Sequence, residues 1–220
     1  MDCIYRKYCK LHKTAECGTH CTRYKLMQYM LDTSRIPKKC QRFQEMTIPE
    51  VDKKAYENLS KACANIKKYV DNGTNFVLYS EKPGNGKTSW AIKLMIAYFN
   101  AIWDVSGAKP HGYYLHLPTY LHQLKEAMSH PSEELTELDK NLIDIDLLII
   151  DDIGATTLSD FDVTHLTYII DQRWINQKST IYTTNRNRES LAKVVGERMT
   201  DRIWDSVRIH FNSSSFRGIL

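Results

Sequence analysis

Glu81-Lys82-Pro83-Gly84-Asn85-Gly86-Lys87-Thr88 lies between a short apolar run, Phe76-Val77-Leu78-Tyr79, and a stretch with helical apolar spacing from Thr88 to Trp103. A glycine-rich turn leading from a strand into a helix and closing on Lys-Thr is the context of a phosphate-binding loop. Its successive backbone N–H groups form an anion nest, and the helix N-terminus adds partial positive charge. Lys87 is then the point charge for β- and γ-phosphates, and the Thr88 hydroxyl a Mg2+ ligand. Pro83, Gly84, Asn85, Gly86, Lys87, Thr88 and Ser89 are the candidate nucleotide-binding residues. One position departs from the usual pattern: Glu81 stands where the first glycine of such loops belongs, and a carboxylate turned toward the phosphates there would weaken nucleotide binding.

A run of aliphatic residues, Leu147-Leu148-Ile149-Ile150, ends in Asp151-Asp152, 64 positions after Lys87. A buried strand ending in two carboxylates at that distance suits magnesium handling by Asp151 and orientation or deprotonation of an attacking water by Asp152. Thr180-Ile181-Tyr182-Thr183-Thr184-Asn185 is the next strand signal, and its terminal Asn185 suits contact with a γ-phosphate. Arginines close the chain at Arg198, Arg202 and Arg217, the residue type that stabilises a transferring phosphoryl group.

Between these motifs the pattern alternates strand and helix. Strands are expected at 76–79, 113–117, 147–150, 180–183 and 207–211. Helices are expected at 51–70, 88–103, 118–128, 159–176, 189–195 and 197–204, the last two split by Gly196. The polar, acidic stretch 129–141 reads as a loop or short helix. This rhythm predicts an α/β fold, a parallel sheet with helices on both faces.

The chain has 220 residues, room for one domain of roughly 150–200 residues plus a small appendage. Residues 1–54 hold 12 Lys and Arg against 6 Asp and Glu, and the remainder 18 against 20. Cys3, Cys9, Cys17 and Cys21 also fall at this basic end. The expected division is a Cys-rich module over 1–45 and a nucleotide-binding domain over 50–220, with the junction between Arg35 and Val51 marked by Pro37 and Pro49. Four thiolates around Zn2+ make a closed structural site, and a module of about 45 residues needs such a staple. Cys9-x2-His12 with Cys17-x2-His20 is the competing ligand set. Cys40 and Cys63 read as packing residues. Tyr5, Tyr8, Tyr24 and Tyr29 interleave with the basic residues, which suits either base stacking or cover for a small core. No aliphatic run approaches the roughly 20 residues of a membrane span. The start, MDCIYRKYCK, has no apolar signal region, so a cytoplasmic chain without a membrane partner is expected.

Together, the phosphate loop, the Asp-Asp strand, the strand ending in Thr184-Asn185, Gly196-Glu197-Arg198-x-x-x-Arg202 and Phe211-Asn212-x-x-Ser215-Phe216-Arg217 resemble AAA+ ATPases of the DnaC/IstB group. The similarity covers about residues 50–220 and is nearer to DnaC-like and DnaI-like helicase loaders, phage-encoded ones included. The resemblance implies sensor 1 at Asn185, an arginine finger at Arg202 acting on the next subunit of a homo-oligomer, and sensor 2 at Arg217. Arg198 is a second candidate at the subunit boundary. It further implies ATP, Mg2+ and a zinc-bearing N-terminal module that contacts a DnaB-like replicative helicase, which is delivered to single-stranded DNA. The competing functions are an IstB-like transposition helper acting on duplex DNA, a nucleotide-gated adaptor with little turnover, and a small-molecule kinase. The terminal arginines argue against the kinase.

Overall fold

The computed structural model describes residues 9, 12–18, 20–41, 49–129 and 133–216. Five strands, β1 (Phe76–Tyr79), β2 (Gly112–His116), β3 (Leu147–Asp151), β4 (Ser179–Thr184) and β5 (Val207–His210), form one parallel sheet in the order β2-β3-β4-β1-β5. The side chains explain why it is covered twice. Phe76, Leu78, Leu147, Ile149 and Ile181 enter a core with α1 (Thr22–Thr33), α2 (Lys53–Ala64), α3 (Ile66–Asp71) and α4 (Lys87–Ile102). Their neighbours Val77, Leu148, Ile150 and Tyr182 enter a second core. There they meet α5 (Leu117–Ser129), α6 (Glu133–Asp144), α7 (Asp160–Ile175), α8 (Arg188–Val195) and α9 (Glu197–Trp204). Alternation along each strand therefore feeds two apolar faces, as parallel sheets require.

The elements match the expected pattern closely, with three differences. The helix expected over 51–70 is two, α2 and α3. They part at Asn65, which leaves helical geometry (φ −116°, ψ 13°) and bonds its side-chain amide to the Lys61 carbonyl. The acidic stretch after α5 contains a full 12-residue helix, α6. Leu135, Leu138 and Leu142 fall on one face of it against the second core, while Glu133 and Glu134 occupy the first turn, where acidic side chains complement the helix dipole. The third difference concerns the basic N-terminal region. Met27, Met30, Leu31 and Ile36 are buried in the first core, and Tyr114 of β2 donates its backbone N–H to the Ser34 carbonyl at 2.7 Å. Residues 22–36 thus pack as part of the body of the sheet domain, although charge alone sets them apart from it.

Because all five strands run the same way, the segments following β1, β3 and β4 emerge at one edge of the sheet. That edge is where ligands of open α/β sheets bind.

Candidate functional site

The loop after β1 is built around two buried side chains. Ser80 Oγ accepts the Lys82 backbone N–H (3.1 Å) and the Asn85 side-chain amide (2.7 Å). Asn85, fully buried, accepts in turn from Lys87 Nζ at 2.9 Å. Lys87 Nζ also donates to the Lys82 carbonyl at 3.1 Å. Gly84 (φ 77°) and Gly86 (φ 90°) occupy the left-handed region, which lets the chain turn sharply into α4. Pro83 and Ser89 are exposed at the loop's surface. Glu81, the departure from the usual pattern, accepts a hydrogen bond from Asn187 Nδ2 at 2.6 Å and is thereby held by the β4–α8 loop.

The end of β3 meets this loop directly. Thr88 Oγ1 donates to Asp151 Oδ1 at 2.8 Å. Asp151, only 3% exposed, accepts two further hydroxyls, from Thr183 on β4 (2.6 Å) and from Tyr114 on β2 (2.6 Å to Oδ2). Burial, reinforced by the Asp151 carboxylate, pushes the Tyr114 phenol well above its ordinary range, so it remains a donor at every working pH. Thr183 Oγ1 also accepts the Asp152 backbone N–H at 3.0 Å. Asp152 itself sits at φ 62°, a left-handed conformation uncommon outside glycine, as the chain turns off the end of β3. His116, opposite Asp151 in the sheet register, brings Nε2 to 3.9 Å from Asp152 Oδ2 and pairs Nδ1 with Thr119 Oγ1. A cluster of oxygen donors in which Thr88 and Asp151 touch suits a hard cation such as Mg2+.

The remaining residues singled out in the sequence are placed as follows. Asn185 is exposed just past β4, beside the start of the phosphate loop, since Thr184 pairs with Tyr79. Arg202 Nε bonds Asp171 Oδ1 of α7 at 3.0 Å, and its guanidinium lies 4.0 Å over the Trp174 ring. Arg198 takes the other Asp171 oxygen at 2.5 Å. Burial would raise the Asp171 carboxyl, but Arg202 and Arg198 hold it below the ordinary aspartate range. Arg217 and Cys3 lie outside the described residues. Cys9, Cys17 and Cys21 are free thiols, and among the described residues no group of three or more His, Cys, Asp or Glu gathers as a metal site. The zinc site expected from the cysteines is therefore not assembled by the residues described. Cys40 and Cys63 pack against the first core, as expected of packing residues. No helix of the described residues is long and apolar enough to cross a membrane.

Tyr114, Thr183 and His116 were not legible as site residues. His116 is placed by the strand register that sets it opposite Asp151, and Tyr114 and Thr183 by hydroxyls that reach Asp151 from the two flanking strands; such placement is a property of the assembled sheet.

A family model described as IstB-like ATP binding protein matches residues 20–217. The replicative helicase loader DnaC of Escherichia coli (strain K12) is 27% identical over 164 residues, spanning 72% of this chain and 62% of its own length. The chain thus spans less than two thirds of that relative. A crystal structure of the DnaC helicase loader superposes with a TM-score of 0.64 at 22% identity, covering 86% of this chain and 99% of that one. A crystal structure of DnaI gives 0.63 at 18% identity, covering 81% and 95%. Both structural likenesses are of fold.

Proposed function

Because this chain belongs to the family of IstB-like ATP-binding proteins, we propose that it is an ATPase of the AAA+ type that loads a replicative helicase. The observation that carries the ATPase reading is the 2.8 Å contact between Thr88 Oγ1 and Asp151 Oδ1, which joins the phosphate loop to the acidic end of β3. In this reading the backbone N–H groups of residues 84–88 cradle the phosphates and Lys87 meets the β- and γ-oxygens. Thr88 and Asp151 hold Mg2+, which when bound neutralises charge shared between the β- and γ-phosphates. Asp152 takes up a proton from, or orients, the attacking water, and Asn185 contacts the γ-phosphate. Arg202 acts on the nucleotide of a neighbouring copy, with Arg198 beside it, and Arg217 on its own. For that, Arg202 exchanges Asp171 for phosphate on assembly.

The loader reading rests on similarity to the DnaC protein, whose name is replicative helicase loader. The partner is then a DnaB-like helicase, the destination single-stranded DNA and the setting the bacterial cytoplasm, in an infected cell if the chain is phage-encoded. The IstB-like transposition helper is the second reading, favoured by the family match itself. A nucleotide-gated adaptor with little turnover is the third. The zinc expectation rests on ligand types alone, and the metal content of protein purified without chelator, one zinc per chain against none, decides it.

The test combines turnover with partner choice. Wild type should hydrolyse ATP, Lys87→Ala should lose turnover and bind ATP more weakly, and Asp152→Asn should bind ATP without hydrolysing it. Size measurement of a mixture with the host's replicative helicase should show a joint complex. Turnover unaffected by Lys87→Ala removes the ATPase reading. A complex with a transposase on duplex DNA, and none with helicase, replaces the loader by the transposition helper. Nucleotide-dependent helicase binding with negligible turnover leaves the adaptor.

A further inference from the structure

Asp52 is 1% exposed and lies where the turn Glu50–Asp52 enters α2, remote in sequence from every motif described above. Its carboxylate accepts the backbone N–H of Asn212 at 2.6 Å and of Ser213 at 3.1 Å. A buried carboxylate is tolerated only where donors replace its water, and two successive main-chain N–H groups do so here. The tail they belong to follows β5 and is held to the phosphate loop along its length. Phe211 is buried against Tyr56 of α2, which meets Trp90 of α4 edge-on. Lys82 Nζ donates to the Asn212 carbonyl (3.1 Å), Asn85 Nδ2 reaches the Ser213 carbonyl (3.5 Å), and Phe216 donates its N–H to the Gly84 carbonyl (3.0 Å). Asn85 is the same side chain that accepts from Lys87 Nζ.

We propose that Asp52 is a positioning residue for nucleotide binding: by gripping the N–H groups of Asn212 and Ser213 it latches residues 211–216 onto the phosphate loop and presets Gly84, Asn85 and, through Asn85, Lys87. The inference rests on the ATPase reading and adds to it a residue outside the loop, together with a link between chain end and nucleotide. Asp52→Asn keeps the side chain's shape but turns an amide N–H toward one of the two donors, so the grip fails without opening a cavity.

The test uses the full chain, a fluorescent ATP analogue with Mg2+, and hydrogen exchange read by peptide. Asp52→Asn should weaken nucleotide binding about tenfold, the worth of one charge-assisted hydrogen bond, beside the fall in melting temperature that the unpaired buried N–H groups cause. In wild type, ATP should slow exchange over 211–216, and in Asp52→Asn that slowing should vanish. A merely structural aspartate would lower the melting temperature but leave both the nucleotide affinity of the folded protein and the nucleotide dependence of exchange intact. Wild-type affinity in Asp52→Asn overturns the latch. If Asp52→Asn does not fold, the wild-type measurement decides, and ATP that leaves exchange over 211–216 unchanged overturns it. A wild-type chain that binds no ATP fails at the ATPase reading instead, a distinct result.

Discussion

Asp151 receives three hydroxyls, and they have unequal tasks. Thr88 belongs to the phosphate loop and in the proposed magnesium site would turn to the cation, whereas Tyr114 and Thr183 stand on flanking strands and hold the carboxylate. Groups behind a metal ligand are typically worth 10–100-fold in metal affinity. Tyr114→Phe removes one hydroxyl from a site that otherwise keeps its shape. The Mg2+ concentration for half-maximal hydrolysis should rise about tenfold, with ATP turnover at saturating Mg2+ much less affected. A Mg2+ titration of steady-state turnover checks this, and an unmoved midpoint would show that Tyr114 only fills space. Lys87, Thr88, Asp151 and Asp152 are singled out in the chain by motif order and spacing. Tyr114 is not, since nothing local distinguishes it from Tyr113.

Between elements, the α7–α9 contact is the one whose charge is legible in the structure and hidden in the sequence. Asp171 is separated from Arg198 and Arg202 by the end of α7, all of β4 and all of α8, yet its one carboxylate serves both guanidinium groups. The Asp171 pKa is depressed in the fold, so its contribution to stability is complete above the unfolded value of about 3.9 and is lost as pH falls through the lower folded value. Acid unfolding should therefore steepen below about pH 4, and Asp171→Asn should flatten that part of the curve. Denaturant midpoints measured across pH for both proteins test this; coincident slopes would show the pair to be solvated and idle. Arg173 makes the same point about legibility. An arginine in the last turn of a helix is ordinarily solvated, but Arg173 is 1% exposed. It bonds the carbonyls of Leu142, Ile143, Ile145 and Ser179 and the Thr180 hydroxyl, tying the end of α6 to the starts of β3 and β4. Burial lowers its pKa only to about 10, so it stays charged at neutral pH.

At the scale of the molecule, α1 belongs to the folded body of the sheet domain. Met27 and Met30 are fully buried and Leu31 and Ile36 nearly so, and each such side chain is worth roughly 1.5–3 kcal/mol of burial. A chain starting at residue 50 should lose several kcal/mol, melt well below the full chain and aggregate through the bared face of α4. Equal melting of the two in a thermal scan would restore an independent N-terminal module. The sequence by itself determined the α/β class, the order of strands and helices, the phosphate loop and the acidic strand. Those depend on neighbours within a few turns of chain and on the two periodicities, 2 and 3.6, that burial imposes on strands and helices. Tertiary structure alone decided that α1 joins the first core, that Tyr114 and Thr183 hold Asp151, and that Asp52 grips a tail 160 residues away. Each of these is a contact between segments distant in the chain. Its energy appears only once the sheet has set their register, so no local pattern of residues records it.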